Sequence, residues 1–283
     1  LARALEKLGY KVRVDLMPDW YAQESESDDV VIVLRGLSRY RPRGHQVNVM
    51  WQISHPDKVG DEEYEEFDHV FVASNRYAHE LDARIDTPVT PLLQCFDASR
   101  FKYQAGQGKN RSVVFVGNSR KQFRPIVKDA IDADLPLAVY GTLWEDLIDE
   151  KYIAGQHIDN DQLSEFYASS GAVLNDHWET MSEYGFLSNR LFDAAACGAI
   201  VVSDHVDGMD EVFDGLIYTY SKGSRDLAEK VNTAMAEGNS RQKERARLAE
   251  KMRKHHDFEA RAGEIDKLLQ KSFGMLPRMS SAE

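Results

Sequence analysis

The chain has 283 residues, 42% of them hydrophobic and 29% charged, with a formal net charge of −12 at pH 7. That length suits one large domain or two modest ones, and the acidic balance argues against nucleic-acid binding, which needs a basic surface. No apolar run approaches a bilayer span, no secretory leader is visible, and Cys95 and Cys197 lack metal or redox spacing. A cytoplasmic protein with two buried thiols is the expectation.

Leu1 to Leu8 carry apolar residues at helical spacing, Gly9 suits a cap, and Tyr10 to Leu16 alternate as a strand. In doubly wound folds such a helix follows a first strand and a Gly-rich turn. The chain opens on Leu1 without them, so a truncated N-terminal domain, a piece of a longer polypeptide or complex, is expected. Val30 to Leu34 is a continuous apolar run suited to a buried parallel strand, and Val47 to Ile53 is a second. Glu62 to Phe67 reads as a short acidic helix, Val70 to Ala73 as a strand, Asn75 to Leu81 as a helix and Val89 to Leu92 as a short strand. This alternation predicts an α/β fold with parallel sheets. Arg35, Arg39, Arg41 and Arg43 follow the first of these strands. They read as a cationic pocket for a small anionic ligand or as a solvated loop.

Trp51, His55 and Asp57 converge at the end of the second strand, where Pro56 fixes a turn. His55 and Asp57 are candidate general bases; the plain alternative is a capped turn with a packed Trp. A polar stretch reaching Arg111, with Gly106 and Gly108, marks a domain boundary.

The second half restarts the alternation. Val113 to Val116 is a strand, Gln122 to Ala133 a helix, Leu137 to Tyr140 a strand, Asn160 to Ala168 a helix and Ala172 to Asn175 a strand. Asp159-Asn160-Asp161 reads as the cap of its helix rather than a metal motif. Ser182 to Leu187 reads as a loop, followed by a helix of small residues ending at Gly198 and a buried strand from Ala199 to Ser203. Leu216 to Tyr218 is a last strand, Ser224 to Glu237 a helix, and the charged remainder from Ser240 is helical, with a frayed tail over Arg278 to Glu283. His255 and His256 are adjacent on that helix, so one metal would not meet both.

Ligands of open α/β sheets sit beyond the carboxyl ends of strands. Gly117, Asn118, Ser119 and Arg120 occupy such a place: Gly117 admits a phosphate, Ser119 offers a hydroxyl and Arg120 a charged fork. Tyr140-Gly141 and Asn175-Asp176-His177 end the next strands, with Asn175 and His177 as candidate contacts. Ser188, Asn189 and Arg190 stand where the small-residue helix begins, a place whose unpaired N–H groups attract phosphate. Asp193, one turn on, is suited to sugar hydroxyls.

The stretch Asp193-Ala194-Ala195-Ala196-Cys197-Gly198-Ala199-Ile200-Val201-Val202 resembles the donor-binding signature of GT-B glycosyltransferases, and the Ser-x-Arg pattern before it is similar to their spore-maturation, CgeB-like branch. Where many retaining members carry a Glu, this chain has Gly185, with Glu183 two residues earlier, so the stereochemical course stays open. The resemblance implies two Rossmann-like domains facing a cleft: residues 1–105 on the acceptor side, residues 111–257 holding a nucleoside-diphosphate sugar, and a C-terminal helix and tail, 258–283, returning to the first domain. It implies that Gly117 to Arg120 face the donor diphosphate, that residues near Tyr140 and Gly141 meet the nucleobase, and that His55 or Asp57 serves as base. It implies a transferase of polysaccharide biosynthesis or a related pathway that needs no cofactor and no metal, acting on a glycan, lipid-linked or other small acceptor. A nucleotide-sugar epimerase or hydrolase on the same fold, and a noncatalytic binding module, are the alternatives.

Overall fold

The computed structural model describes residues 1–105, 112–221, 223–238 and 240–277. In chain order the elements are α1 (Ala2–Lys7), β1 (Val30–Arg35), β2 (Val47–Gln52), α2 (Asp61–Tyr64), β3 (His69–Val72), α3 (Asn75–Asp82) and β4 (Val89–Pro91). There follow β5 (Val113–Val116), α4 (Pro125–Asp132), β6 (Leu137–Tyr140), β7 (Ile153–Gly155), α5 (Leu163–Ser169), β8 (Ala172–Asn175), α6 (Glu179–Glu183) and α7 (Asn189–Cys197). The remainder holds β9 (Val201–Asp204), α8 (Met209–Phe213), β10 (Ile217–Tyr220), α9 (Ser224–Glu237), α10 (Gln242–His255) and α11 (Phe258–Phe273). The chain divides into two compact units, one of Leu1–Cys95, Glu179–Phe186 and the residues from His256 on, the other of Phe96–Trp178 and Leu187–His255. The polar stretch 106–111 and the tail 278–283 lie outside the described residues.

The first unit carries a parallel sheet in the order β1-β2-β3-β4, with Leu34 opposite Trp51 and Trp51 opposite Phe71. Val49, Trp51 and Phe71 of the sheet share one apolar cluster with Ala4 and Leu5 of α1 and with Ala262, Ile265 and Leu269 of α11. Those three α11 positions recur at helical spacing, which lays one stripe of the helix on the core. Arg261 anchors the same helix, its Nε donating to the Leu93 carbonyl at 2.6 Å and Nη2 to that of Gln94 at 3.2 Å. The C-terminal helical segment is broken at His256, because Asp257 turns out of the helix and accepts from Ala260 N at 2.8 Å as the cap of α11.

The expected strand over Tyr10 to Leu16 does not form: among the described residues it pairs with no strand. Tyr10 and Val12 pack on the core while Val14 and Leu16 are 70% and 72% exposed. Alternation without a hydrogen-bonding neighbour does not make a strand. Two of the four arginines around the end of β1 are paired with carboxylates. Arg35 is buried, its Nε 2.6 Å from Glu63 Oε1, and Arg39 Nη2 lies 2.6 Å from Glu66 Oε1.

The second unit carries a six-stranded parallel sheet in the order β10-β9-β8-β5-β6-β7. Counted from β5 this is the doubly wound order, in which the chain starts at the centre, moves to one edge and returns to build the other half. The reversal point lies between β5 and β8, where Val113 is opposite Ala172. Val113, Phe115, Val139, Leu174 and Val202 of the strands pack with Ile126 and Val127 of α4 and with Leu227 and Val231 of α9. Helix α4 begins at Pro125, three residues later than its apolar pattern suggests, because Ser119 to Arg124 form a turn. Helix α5 begins at Leu163; Asp159 is not its cap but accepts Gln162 N through its backbone carbonyl at 2.8 Å. Strand β7 and helix α6 were not legible as elements: β7 has three residues and a register shift, and α6 is a five-residue helix whose last two residues fall in the stretch read as a loop.

Candidate functional site

The turn after β5 is built by backbone constraint. Gly117 donates to the Tyr140 carbonyl at 2.8 Å, and its own carbonyl accepts from Trp144 Nε1 at 2.8 Å. Gly141 has φ +150°, and a Cβ there would lie 2.3 Å from the Gly117 oxygen. The ends of β5 and β6 therefore touch backbone to backbone. Asn118 Oδ1 accepts from Thr142 N at 2.8 Å and ties the two loops together. Ser119 is buried; its hydroxyl donates to the Leu143 carbonyl and accepts from Lys121 N, so it is committed to the turn. Arg120 and Lys121 both adopt left-handed backbone, with φ 53° and 60°, conformations that non-glycine residues hold only when their surroundings enforce them. Arg120 is exposed, and its guanidinium lies 5.8 Å from the Trp178 ring just beyond β8. The Tyr140 ring packs edge-on against Phe166 at 4.9 Å.

Across the reversal point, the ends of β8 and β9 meet the first turn of α7. Ser188 caps this helix, its Oγ accepting from Arg190 N at 3.3 Å, and Gly198 closes it in left-handed conformation with φ 74°. Ala194 to Cys197 are buried, so the small side chains let the helix sit close on the sheet. Arg190 reaches back over the sheet. Its Nη1 donates to Asn175 Oδ1 at 3.0 Å, and its guanidinium stands 4.8 Å from the Phe115 ring centre. Asn175 is fully buried and its Nδ2 donates to Ser203 Oγ at 2.9 Å. His177 holds Asp204 Oδ1 at 2.7 Å through Nδ1 and accepts Ser188 N at 2.9 Å through Nε2. The hydrogen bonds from His177 bring the Asp204 carboxyl below its ordinary value despite the burial that opposes them. Of the first amides of α7, that of Asn189 has no protein acceptor among the described residues, and Asn189 itself is exposed.

Asp193 sits half-buried one turn further on. Burial pushes its carboxyl up to about 8, partly offset by Arg190. The neighbouring Tyr167 hydroxyl is likewise pushed up to about 12 by burial, with Arg190 acting against it. Burial thus favours the uncharged form of Asp193 well above the ordinary carboxylate range, and in that form the group can donate as well as accept.

The structure brings Gly117, Asn175, His177, Ser188 and Arg190 into one connected cluster, with Asn118, Ser119 and Gly141 shaping its floor. Sequence reasoning missed Ser203 and Asp204, although a Ser-Asp pair ending a buried strand is the available signal. It also missed the role of Arg124, Asp176 and Trp178. Arg124 Nε lies 2.9 Å from Asp176 Oδ1, both are buried, and the guanidinium stacks 4.0 Å from the Trp178 ring centre.

In the first unit, Trp51 belongs to the core, its Nε1 bonded to the Leu92 carbonyl at 2.8 Å. His55 has φ 53°, opens the short helical turn Pro56–Lys58, and its Nδ1 lies 2.9 Å from Ser54 Oγ; Asp57 is exposed. Arg35 Nη2 donates to the Lys58 carbonyl at 3.0 Å and so holds this turn from below. Among the described residues no group of three or more His, Cys, Asp or Glu is arranged to hold a metal ion, and no helix is long and apolar enough to cross a membrane.

A family model described as glycosyl transferase-like matches residues 120–267, more than half of the chain. The chain belongs to this family. Among solved structures, sucrose-phosphate synthase from Thermosynechococcus elongatus is similar with a TM-score of 0.62, over 82% of this chain and 69% of that one, at 16% identity. The HepE protein of Anabaena, solved with UDP and glucose, gives 0.58 over 80% and 72% at 15% identity. A glycosyltransferase involved in avilamycin A biosynthesis gives 0.57 over 87% and 75% at 16% identity. What these share with the chain is the fold, an α/β architecture of parallel sheets matching GT-B glycosyltransferases. No curated protein matches the chain.

Proposed function

We propose that the protein is a glycosyltransferase whose donor is a nucleoside-diphosphate sugar held at the carboxyl ends of β5 and β8. The observation that carries this reading is the placement of Arg190: a cation from the first turn of α7 laid over the Gly117 backbone and fixed by Asn175 at the reversal point of a doubly wound sheet. The diphosphate would meet Arg190, the Asn189 amide and Arg120. These groups offset the negative charge that grows on the leaving nucleotide as the sugar bond breaks, which is usually a large catalytic contribution. In this reading Arg190, Arg120 and the Asn189 amide take the part a metal would otherwise play. A protonated Asp193 binds a ribose or sugar hydroxyl without repelling the diphosphate.

In this reading the first unit takes the acceptor, a carbohydrate or other small molecule, and His55 or Asp57 accepts its proton. The acceptor hydroxyl attacks the anomeric carbon, the bond from that carbon to the phosphate oxygen breaks, and the nucleoside diphosphate leaves. The Ser-x-Arg pattern favours the spore-maturation branch of the family, and the two isolated cysteines favour a cytoplasmic site of action. The test is calorimetric titration of the chain with UDP, GDP and their sugars, repeated with Arg190→Ala. Binding of one nucleotide class that the variant weakens at least about tenfold supports the reading. Absence of binding at millimolar nucleotide overturns it. Release of free sugar without transfer would favour a hydrolase.

A further inference from the structure

The cluster contains two residues, His177 and Asp204, whose polar atoms are spent on the protein rather than offered to a ligand. The Ser188 amide can only donate, so the His177 Nε2 that faces it at 2.9 Å must carry a lone pair. The proton of the neutral ring is then on Nδ1, where Asp204 Oδ1 accepts it at 2.7 Å. The opposite tautomer would set two donors against each other at Ser188 and leave Nδ1 facing the Asp204 carboxylate with no proton between them. The same Asp204 oxygen accepts from Ser203 Oγ at 3.0 Å. Ser203 Oγ in turn accepts from Asn175, whose Oδ1 receives Arg190. One carboxylate thus stands at the root of two branches. One branch runs through an imidazole to the first amide of the α7 turn, the other through a hydroxyl and a buried amide to the Arg190 guanidinium. His177, Asn175 and Ser203 are buried, which keeps water from substituting for the middle links of the two branches, while Asp204, Ser188 and Arg190 are half-buried.

We propose that Asp204 and His177 are positioning residues of the donor site: Asp204 selects the Nδ1–H tautomer of His177, and His177 then fixes the first turn of α7, while the Ser203–Asn175 branch sets the direction of Arg190. Neither residue touches the donor. The inference rests on the donor-site reading above, and the experiment separates the two.

The full chain, labelled with nitrogen-15, is examined by NMR at pH 7.5 for the His177 tautomer and for exchange of the Ser188 amide. UDP affinity is measured for wild type, His177→Gln and His177→Asn. The Gln side chain places an acceptor near the position of Nε2, whereas Asn reaches only the position of Nδ1. The expected result is an unprotonated Nε2 in wild type, with His177→Asn weakening UDP about fivefold and accelerating Ser188 exchange. His177→Gln should restore both to within about twofold. A protonated Nε2, wild-type behaviour of both variants, or equal losses in both overturns the proposal. If wild type itself fails to bind UDP, the donor reading fails and the tautomer and exchange data alone decide the positioning. Ser203→Ala removes a single hydroxyl and probes the second branch should the His177 variants fail to fold; about threefold weaker UDP binding is expected, and unchanged affinity overturns that branch.

Discussion

Gly117 and Arg190 compete for one space. A methyl group at Gly117 would stand 2.7 Å from Arg190 Nη2, so the guanidinium occupies the place where a side chain would otherwise lie. Gly117 is required by this approach rather than by its own backbone, since it has no left-handed φ.

Gly117→Ala is therefore expected to act on the ligand more than on the fold. Arg190 is the far end of a flexible chain and can yield, but only by leaving Asn175. Stability should fall by no more than about 1 kcal/mol, whereas UDP affinity should fall about tenfold. Thermal unfolding and calorimetric titration of the same variant decide it; unchanged UDP affinity would mean that Arg190 does not bind the donor.

Gly141→Ala is the contrasting case. Its Cβ would meet the Gly117 oxygen at 2.3 Å and its carbon at 2.6 Å, and the φ of +150° is already strained for any side chain. Backbone on both sides cannot move aside. A loss of about 3 kcal/mol is expected. Urea unfolding within 1 kcal/mol of wild type, taking that as roughly the effect of a harmless surface change, would contradict the contact.

Asp193 gives a pH signature with a definite sign. Its carboxyl is raised from the ordinary 3.8 to about 8 by burial, so between those values the folded chain holds a proton that the unfolded chain has released. Stability therefore declines as pH rises through that window and levels off above it. Asp193→Asn cannot titrate, and its stability curve should be flatter from pH 5 to 8, roughly the range in which the two forms differ. Chemical unfolding at several pH values would show this; parallel curves would refute it.

Arg124 and Asp176 form a buried pair in which removal of one partner strands the other. Arg124→Met should destabilise the second unit by about 3–5 kcal/mol, and the double variant with Asp176→Leu should recover much of that loss. Because the Arg124 guanidinium stacks on the Trp178 ring, tryptophan emission should change in the single variant even under native conditions. Denaturant titration followed by fluorescence reads both effects, and no recovery in the double variant would assign the loss to packing.

Elements with strong local signals were legible in the sequence. Helix α9 was readable to both ends, because Gly223 and Gly238 flank an amphipathic run. Strands β5, β6 and β8 were equally clear as apolar runs bounded by Gly, Pro, Ser or Asp. Tyr10 to Leu16 misled because alternation reports which side faces the core, not whether a neighbouring strand exists. Pro125 marked the start of α4, yet the apolar pattern drew the reading upstream into the Ser119 turn.

The amino-acid sequence by itself determined the alternation of strands and helices, the capped small-residue helix α7, and the set of polar residues gathered at strand ends. Those follow from periodicity, caps and glycine positions, which are local properties. Only the tertiary structure decided which of those residues are bonded to one another and which are left with polar atoms unspent. Ser119, Asn175 and His177 looked like ligand groups, but their hydrogen-bonding capacity is consumed by Leu143, Ser203, Asp204 and Ser188. Asp204, Ser203 and Arg124 looked incidental, yet each is hydrogen-bonded to a residue at the end of β8. The reason is physical: a buried polar group must find a partner, and the partners of these side chains lie up to 52 positions away, brought together only when the parallel strands assemble side by side.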